Sequence, residues 1–266
     1  MAPDMELDLA GRVVLVTGAS RGIGLAVARA LVAEGAQVAI CSRDEAAIGA
    51  VAAELGDGAT GFAADVRDDA AVAAFVAHAA ATFGRLDAVV NNAGRFGGGP
   101  VLALTDEALH EGLDTKVAAG LRVVRHALAH LRASDRAAVV NVSGITAEMV
   151  IPGAGVTAMG NAGLLTLTAY LAHELSADGV RVNGIVPGYI LTGVWRDRAQ
   201  ALADEEGVDL EQAEHAILER RGIAHARWGT AEEIADVVVF LLSRAARFVN
   251  GTVLRADGGQ SPAVDY

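Results

Sequence analysis

Residues 17–24 read TGASRGIG, a pattern whose residue types and spacing could bind a phosphate group. The segment follows a short apolar run and opens a stretch in which apolar residues recur at helical spacing. Glycines there let the backbone turn tightly and approach a pyrophosphate, which then meets the N–H groups of the helix. Ser20 can add a hydroxyl, and Ile23 lies in the first helical turn. The glycines of this predicted site are Gly18, Gly22 and Gly24.

Two arginines indicate which nucleotide this turn would bind. Sites that prefer NAD usually place an acid after the second strand, but here Ser42 and Arg43 stand at that position. The guanidinium groups of Arg21 and Arg43 would suit a 2′-phosphate, which favours NADP(H). Asp44 could weaken that preference, and the alternative is that both arginines are simply solvated.

Lys116 is the only lysine among the 266 residues, and it falls in a predicted helix near the same site. A partly buried ammonium beside a cationic nicotinamide would have a lowered pKa, so it could protonate or stabilise an oxyanion. The alternative is a helix lysine that points to solvent or pairs with Asp114. The seven histidines show no metal-binding spacing with carboxylates, so no metal site is predicted.

The elements that must position these residues alternate between short apolar runs and longer amphipathic stretches. Runs that are apolar throughout are typical of parallel strands buried on both faces. The alternation predicts an α/β fold: a single domain with a doubly wound, seven-stranded parallel sheet and helices on both faces. The predicted strands cover residues 13–16, 37–41, 61–64, 88–90, 137–142, 181–186 and 252–255.

The segment 189–226 interrupts this alternation with two charged helical patterns. Ligands of open α/β sheets lie beyond the carboxyl ends of the strands, so a long excursion there is a candidate substrate lid. The alternative is a surface insertion. Together with the aliphatic loop 94–104, this lid suggests a pocket for a largely apolar molecule.

Composition narrows the classes of partner and location. Acidic residues exceed basic ones, 33 to 21, and the net charge of −12 argues against binding to nucleic acid or an anionic membrane. The single cysteine, Cys41, allows no internal disulfide, which favours a reducing, cytoplasmic location. The N-terminus lacks an apolar signal core, and no apolar stretch is long enough to predict a membrane span.

Taken together, these motifs resemble those of the short-chain dehydrogenase/reductase family over nearly the whole chain. The segments that carry the resemblance are TGASRGIG at 17–24, AADV at 63–66, NNAG at 91–94, NVSG at 141–144, RVNGIVPGYILT at 181–192, RWGTAEEIADVVVFLLS at 227–243 and RADGG at 255–259. The resemblance implies a Rossmann fold, an NADP(H)-dependent oxidoreductase, and a homodimer or homotetramer formed through helices near 106–131 and 156–177.

The resemblance also implies further cofactor contacts, distributed along the dinucleotide. The expected contacts are Asp65 and Val66 with the adenine; Asn92, Ala93 and Gly94 near the riboses; and Pro187, Gly188, Ile190 and Thr192 at the carboxamide end of the nicotinamide.

The four catalytic positions of the family's reductases all carry different residues here. When the flanking motifs are aligned, the tyrosine position becomes Thr157 and the lysine position, four residues later, becomes Asn161. The serine position becomes Gly144, with Ser143 one place earlier, and Lys116 stands where the fourth helix should carry asparagine. A divergent branch of the family shares a lysine in that helix and an adjacent Gly-Asn in place of the lysine pair.

These replacements limit the chemistry that each position can perform. A threonine hydroxyl does not ionise usefully near neutrality, so Thr157 can form hydrogen bonds but cannot replace the tyrosine. Asn161 can reach a ribose hydroxyl without a positive charge, whereas Ser143 could point into the site only if the strand end is shifted. Tyr189 is the one tyrosine expected near the nicotinamide, as an aromatic wall or a catalytic group. Tyr170 is expected on the core side of a helix.

Three functions are compatible with this combination, and the first is favoured. It is an NADP(H)-dependent oxidoreductase that acts on a small, largely apolar carbonyl or alcohol, with Lys116 as its acid or electrostatic group. The second is non-redox chemistry on the same fold, as in a cyclase, isomerase, dehydratase or lyase. The third is a catalytically inactive subunit that is paired with an active homologue.

Overall fold

Seven short apolar segments form one parallel sheet in the computed structural model, which describes residues 6–94, 97, 99–221, 225 and 227–261. The prediction of a seven-stranded parallel sheet is confirmed, and most strand ends lie within a residue of the predicted ones. The strands are β1 (Val13–Thr17), β2 (Gln37–Ser42), β3 (Ala59–Ala63), β4 (Ala88–Asn91), β5 (Ala138–Val142), β6 (Arg181–Pro187) and β7 (Val253–Ala256).

The strand order places a crevice at the middle of the sheet. The order is β3-β2-β1-β4-β5-β6-β7, and every pair is parallel. Strand β1 pairs with β2 on one side and with β4 on the other, so the chain reverses its direction of winding there. Loops that leave β1 and β4 therefore diverge, and this switch point is where open α/β sheets bind ligands.

Helices cover both faces of the sheet, as predicted. They are α1 (Gly22–Ala33), α2 (Glu45–Leu55), α3 (Asp69–Phe83), α4 (Asp106–Leu113), α5 (Ala119–Ala133), α6 (Gly155–Leu175), α7 (Gly193–Glu206), α8 (Leu210–Arg221) and α9 (Ala231–Leu242). Alternation along β1 supplies both cores: Val14 and Val16 pack with α1, α2 and α9, whereas Leu15 packs with α3, α5 and α6. None of the helices that the structure describes is long and apolar enough to span a membrane.

The fourth helix of the sequence prediction is not a continuous α-helix. Between α4 and α5 lies a π-helical turn, Asp114–Ala118, which carries Lys116 at its centre. Turns of this kind are rare and often mark functional sites. The next long helix, α6, ends two residues earlier than expected. The expectation that Tyr170 faces the core is wrong: it is 65% exposed because Leu164, Thr168 and Leu171 form the buried face.

The segment predicted as a lid contains α7 and α8, which pack against one another. Its first residues continue directly from β6 beyond the carboxyl edge of the sheet. Leu218 of α8 packs with Tyr189, Ile145 and Val186, so the segment lies against the sheet edge. Residues 222–224 and 226 of the predicted lid lie outside the described part of the chain. Whether the segment opens and closes stays a prediction.

A buried polar network joins the central strands to α6. Asn91 of β4 donates from Nδ2 to Oδ1 of Asn141 at 2.9 Å, and Asn141 donates in turn to the Thr168 hydroxyl at 2.8 Å. Asn141 and Thr168 have no exposed surface. Buried amides are costly unless they are paired, so this network fixes α6 on the sheet.

Replacing Asn141 by leucine should therefore destabilise the fold. The substitution removes the amide that bonds to both Asn91 and Thr168, so polar groups of these two residues lose a hydrogen-bond partner. This loss should lower the free energy of unfolding by about 2 kcal/mol. Urea unfolding measures it. The control is Thr82→Ala on the exposed side of α3, away from the helices of the expected oligomer interface, which should change stability by less than about 0.5 kcal/mol. Equal, small changes in both variants would contradict this account of the network.

Candidate functional site

One cavity of about 920 Å³ opens at the switch point and collects almost all residues that the sequence singled out. Gly24 is the exception, since it lies behind the turn. The predicted site residues that line the cavity are Gly18, Ser20, Arg21, Gly22, Ile23, Ser42, Arg43, Asp65, Val66, Asn92, Ala93, Gly94, Lys116, Ser143, Thr157, Asn161, Pro187, Gly188, Tyr189, Ile190 and Thr192.

The glycine turn is held in shape by Asn92 and by the end of β1. The Asn92 side chain donates to the carbonyl oxygens of Thr17 and Gly18, each at 3.0 Å. A Cβ on Gly24 would lie 2.5 Å from Asn92 Nδ2, and Gly18 has a φ of +66°, so neither position tolerates a side chain. The first turn of α1 has no side-chain cap at Arg21, which leaves N–H groups facing the cavity for an anion.

Both positively and negatively charged side chains lie at the end of the cavity next to the glycine turn. Arg21 and Arg43 are exposed at its rim. Asp44 caps α2 by accepting a hydrogen bond from the Ala47 N–H at 2.9 Å, so this carboxylate serves its own helix. The Asp65 carboxylate accepts hydrogen bonds from Arg67, which lowers the pKa of Asp65.

Lys116 extends into the cavity from the π turn. A Cβ placed on Gly94 would be 3.0 Å from Lys116 Nζ, so the ammonium lies directly against that backbone. Burial lowers the pKa of Lys116 to about 8. Lys116 does not form the alternative pair with Asp114, whose carboxylate instead accepts a hydrogen bond from Arg122 at 2.9 Å. Within the described residues, Lys116 forms neither a hydrogen bond nor an ion pair.

Small residues allow the helix of Lys116 to approach α6 closely. A Cβ on Gly112 would lie 2.3 Å from Val156 Cγ2, and a Cβ on Gly160 would lie 3.3 Å from Lys116 Cβ. The two backbones therefore meet where larger residues would separate them. This close packing brings Lys116 to the same wall of the cavity as Thr157 and Asn161.

Thr157, which the resemblance predicts at the family's tyrosine position, has a hydroxyl that is already hydrogen-bonded. Its Oγ1 donates to the carbonyl oxygen of Gly97 at 2.8 Å and accepts from the Gly97 N–H at 3.3 Å. The hydroxyl therefore fastens the 94–104 loop to α6. Leu104 of this loop lines the cavity, while Arg95, Phe96 and Gly98 lie outside the described residues.

Gly144 and Asn161 are replacements that depend on each other. A Cβ on Gly144 would lie 2.8 Å from Asn161 Nδ2, so the amide fills the space next to the former serine position. Asn161 is buried, and its Nδ2 donates to the Thr146 hydroxyl at 2.8 Å. Ser143 does not supply a free hydroxyl, because its Oγ donates to the Asn161 carbonyl oxygen at 3.0 Å.

Tyr189 forms part of an aromatic wall. Its ring centroid lies 4.7 Å from that of Trp195 and 6.1 Å from that of Trp228. It is 3% exposed, and Trp195 lines the cavity next to it. The arrangement fits the expectation of a wall. Its role in chemistry stays a prediction.

The sequence reasoning missed several side chains at this site. Arg67, Arg122 and Thr146 bond to predicted site residues, yet none stands in a motif with a chemical role. Trp195 lies inside the predicted lid, two residues after the glycine that begins α7, and it stands in no motif that would have identified it. Among the described residues, no group of three or more His, Cys, Asp or Glu is placed to hold a metal ion.

Comparison with known proteins gives matches along nearly the whole chain. The family model described as enoyl-(acyl carrier protein) reductase matches residues 18–261. A protein from Streptomyces virginiae, assigned as the ketoacyl reductase of the monensin polyketide synthase, is 38% identical over 256 residues. That alignment covers 93% of this chain and 96% of the relative.

Solved structures match the fold closely. L-sorbose reductase from Gluconobacter frateurii, solved with NADPH and L-sorbose, has a TM-score of 0.94 and 29% identity over 98% of this chain and 100% of its own. An NADPH-bound short chain oxidoreductase from Pseudomonas aeruginosa PAO1, described as containing an atypical catalytic center, has a TM-score of 0.90. It is 32% identical over 96% of this chain and 99% of its own.

The contact between Gly144 and Asn161 predicts a non-additive pair of substitutions. Gly144→Ala should lower the free energy of unfolding by about 1–3 kcal/mol, because the added methyl group overpacks the site. The backbone adds no strain, because the φ of 175° at Gly144 suits any residue. In an Asn161→Ala background, the same change should cost much less because the amide is gone. Urea unfolding of the four proteins measures the interaction. Equal costs in both backgrounds would show that the amide does not occupy this space.

Proposed function

Because this chain belongs to the short-chain dehydrogenase/reductase family, we propose that it is an NADP(H)-dependent oxidoreductase whose proton donor has been rebuilt around Lys116. The observation that carries the proposal is the Lys116 ammonium, which lies in the same cavity as the glycine turn and has no carboxylate bonded to it. NADPH in two of the related structures supports the cofactor.

The residues present fit a nicotinamide dinucleotide with a 2′-phosphate. The uncapped first turn of α1 offers N–H groups to the pyrophosphate, and Arg21 and Arg43 offer guanidinium groups to the phosphate. Asp65 and Val66 would hold the adenine side, and Asn92, Ala93 and Gly94 would line the ribose side. The nicotinamide end would be bounded by Pro187, Gly188, Ile190 and Thr192.

When bound, the cofactor supplies a hydride to the carbonyl carbon, or removes one from the alcohol in the reverse direction. The residues of this chain must then manage the charge on the oxygen. Lys116 Nζ is positioned to donate a hydrogen bond to the oxygen and to pass it a proton, and its desolvation strengthens both effects. The hydroxyls of Thr157 and Ser143 bond to backbone carbonyls, so they hold the walls of the site instead. Asn161 would orient a ribose hydroxyl with its buried amide.

The walls of the cavity favour a small, largely apolar substrate. Leu104, Ile151, Val156, Tyr189 and Trp195 all line the cavity, and Ile151 packs with the two aromatic residues. Aliphatic and aromatic surfaces of this kind bind a substrate by burial, while Lys116 fixes the oxygen that reacts. The lid segment would close over such a substrate.

Non-redox chemistry is the alternative that one observation favours. No tyrosine hydroxyl occupies the family's position, and Thr157 is bonded to Gly97, so proton transfer coupled to hydride transfer depends on Lys116 alone. A cyclase, isomerase, dehydratase or lyase would form product without changing the NADPH absorbance. Stoichiometric oxidation of NADPH would exclude it. An inactive subunit that is paired with an active homologue would show no turnover by itself.

We further propose that the chain forms a homodimer or homotetramer through α4–α5 and α6, in the cytoplasm. Met159 and Tyr170 are exposed on α6, which supports a covered face there. The buried single cysteine suits a reducing location.

Lys116→Met should reduce turnover by about 10²–10⁴-fold, because it removes the acid that we propose for the substrate oxygen. NADPH affinity, measured by fluorescence titration, should stay within about threefold, because the methionine keeps most of the side-chain length. The matched control is Arg132→Met in α5, which removes an exposed ion pair with Asp178 and should leave turnover unchanged.

The pH dependence separates an acid from a fixed charge. For carbonyl reduction, kcat/KM should be flat at acidic pH and fall as Lys116 loses its proton, with a midpoint displaced from the ligand-free value of about 8 by whatever change bound cofactor makes in the Lys116 pKa. Lys116→Arg should keep partial activity without this decline, because arginine does not titrate in that range. Unchanged turnover in Lys116→Met would disprove the assignment of Lys116.

Lys116→Met should also stabilise the protein at neutral pH. The folded state holds the Lys116 pKa near 8, below its ordinary 10.5, so folding costs free energy while the amine is protonated in both states. The variant should therefore gain about 1–3 kcal/mol below pH 8, and this gain should shrink as pH rises towards 10.5. Urea unfolding across this pH range is the test, and a pH-independent difference would contradict it.

A further inference from the structure

Two arginines clamp the segment 65–67 to the helix that carries Lys116. Arg67 forks onto the Asp65 carboxylate at 2.6–3.1 Å and also donates to Glu111 of α4 at 2.8 Å. Arg122 of α5 donates from one nitrogen to the Val66 carbonyl oxygen at 2.8 Å and from another to Asp114 at 2.9 Å. Both clamps join residues that are far apart in sequence, and both link the segment 65–67 to the helix that carries Lys116.

The second clamp acts directly on the π turn. Asp114 is the first residue of that turn, and Lys116 is its third. A π turn has poorer intrahelical bonding than an α-helix, so a bond to its first residue has a large share in fixing it. Arg122 is well placed for this task, since its side chain is only 17% exposed and its planar fork reaches both partners at once.

We propose that Arg122 is a positioning residue that couples the 65–67 segment to Lys116, so that a ligand at this segment changes how the Lys116 ammonium is held. The proposal rests on the proposed function only in placing the adenine of the cofactor at Asp65 and Val66. A ligand there would fix the Val66 carbonyl, and Arg122 would transmit this order through Asp114 to the π turn. The charged and titratable groups around this clamp include Arg43, Asp65, Arg67, Asp69, Glu111, Asp114, Arg125 and His126.

The single lysine makes the test direct. Protein labelled with ¹³C at lysine Cε gives one resonance, and its pH titration reports Lys116 alone. The probe is adenosine 2′,5′-bisphosphate, which contains the adenine half of NADP(H) and has no nicotinamide to contact Lys116. In the native protein, saturating probe should change the proton affinity of Lys116 by about fivefold or more, which is a pKa change of about 0.7.

Arg122→Met keeps the apolar stem and removes the clamp, whereas lysine at this position would add a second resonance. In this variant, the probe should change the Lys116 pKa by less than about one third as much as in the native protein. The remaining change is the one that the charge of the probe produces through space. Asp114→Ala breaks the same clamp from the other side and should give the same loss, which protects the test if one variant fails to fold. Arg132→Met is the control and should keep the full change.

Several outcomes would overturn the coupling. One is that the probe binds to the native protein but does not change the Lys116 pKa. The other is that the probe changes the Lys116 pKa equally in the native protein and in both clamp variants. Failure of the probe to bind, measured by calorimetry, would overturn both the coupling and the proposed cofactor. Normal coupling together with full turnover in Lys116→Met would instead contradict only the catalytic role of Lys116.

Discussion

Lys116 holds its ammonium group in a cavity wall where burial lowers its pKa to about 8 and no described carboxylate is bonded to it. An uncompensated cation is costly to bury, so the surrounding structure must hold it there. The π turn supplies the backbone geometry, and the glycines of α4 and α6 allow the approach. Arg122 donates a hydrogen bond to Asp114, the carboxylate at the start of the same π turn.

The other replaced catalytic positions form a bonded set around this cation. Thr157 fastens the loop beside it, Ser143 bonds to the backbone of Asn161, and the Asn161 amide fills the space that Gly144 leaves open. Each of these groups has a structural partner. This bonded set fits the proposal of a remodelled site, in which these polar groups position the walls and Lys116 would perform the chemistry.

The fold could be predicted from the sequence because its signals are local. Apolar runs of four to seven residues identify the buried parallel strands, and the glycines after β1 identify the phosphate turn. The cavity lining followed from motif positions. The π turn could not be predicted, because its backbone depends on packing between Gly112 and Val156, which are 44 positions apart. Arg122 was missed for the same reason: its partner Val66 is 56 residues away. Tyr170 was misplaced because α6 is apolar on several faces, so its periodicity does not identify the buried one.

We propose that the desolvated Lys116 ammonium is the chemical group of a pocket that binds a dinucleotide. The measurement that tests this proposal is the titration of the single lysine in the ligand-free protein, followed by the ¹³Cε resonance. We expect a midpoint near pH 8, because the ammonium is buried. A midpoint near the ordinary value of 10.5 would show a solvated ammonium and would contradict the proposed role of Lys116.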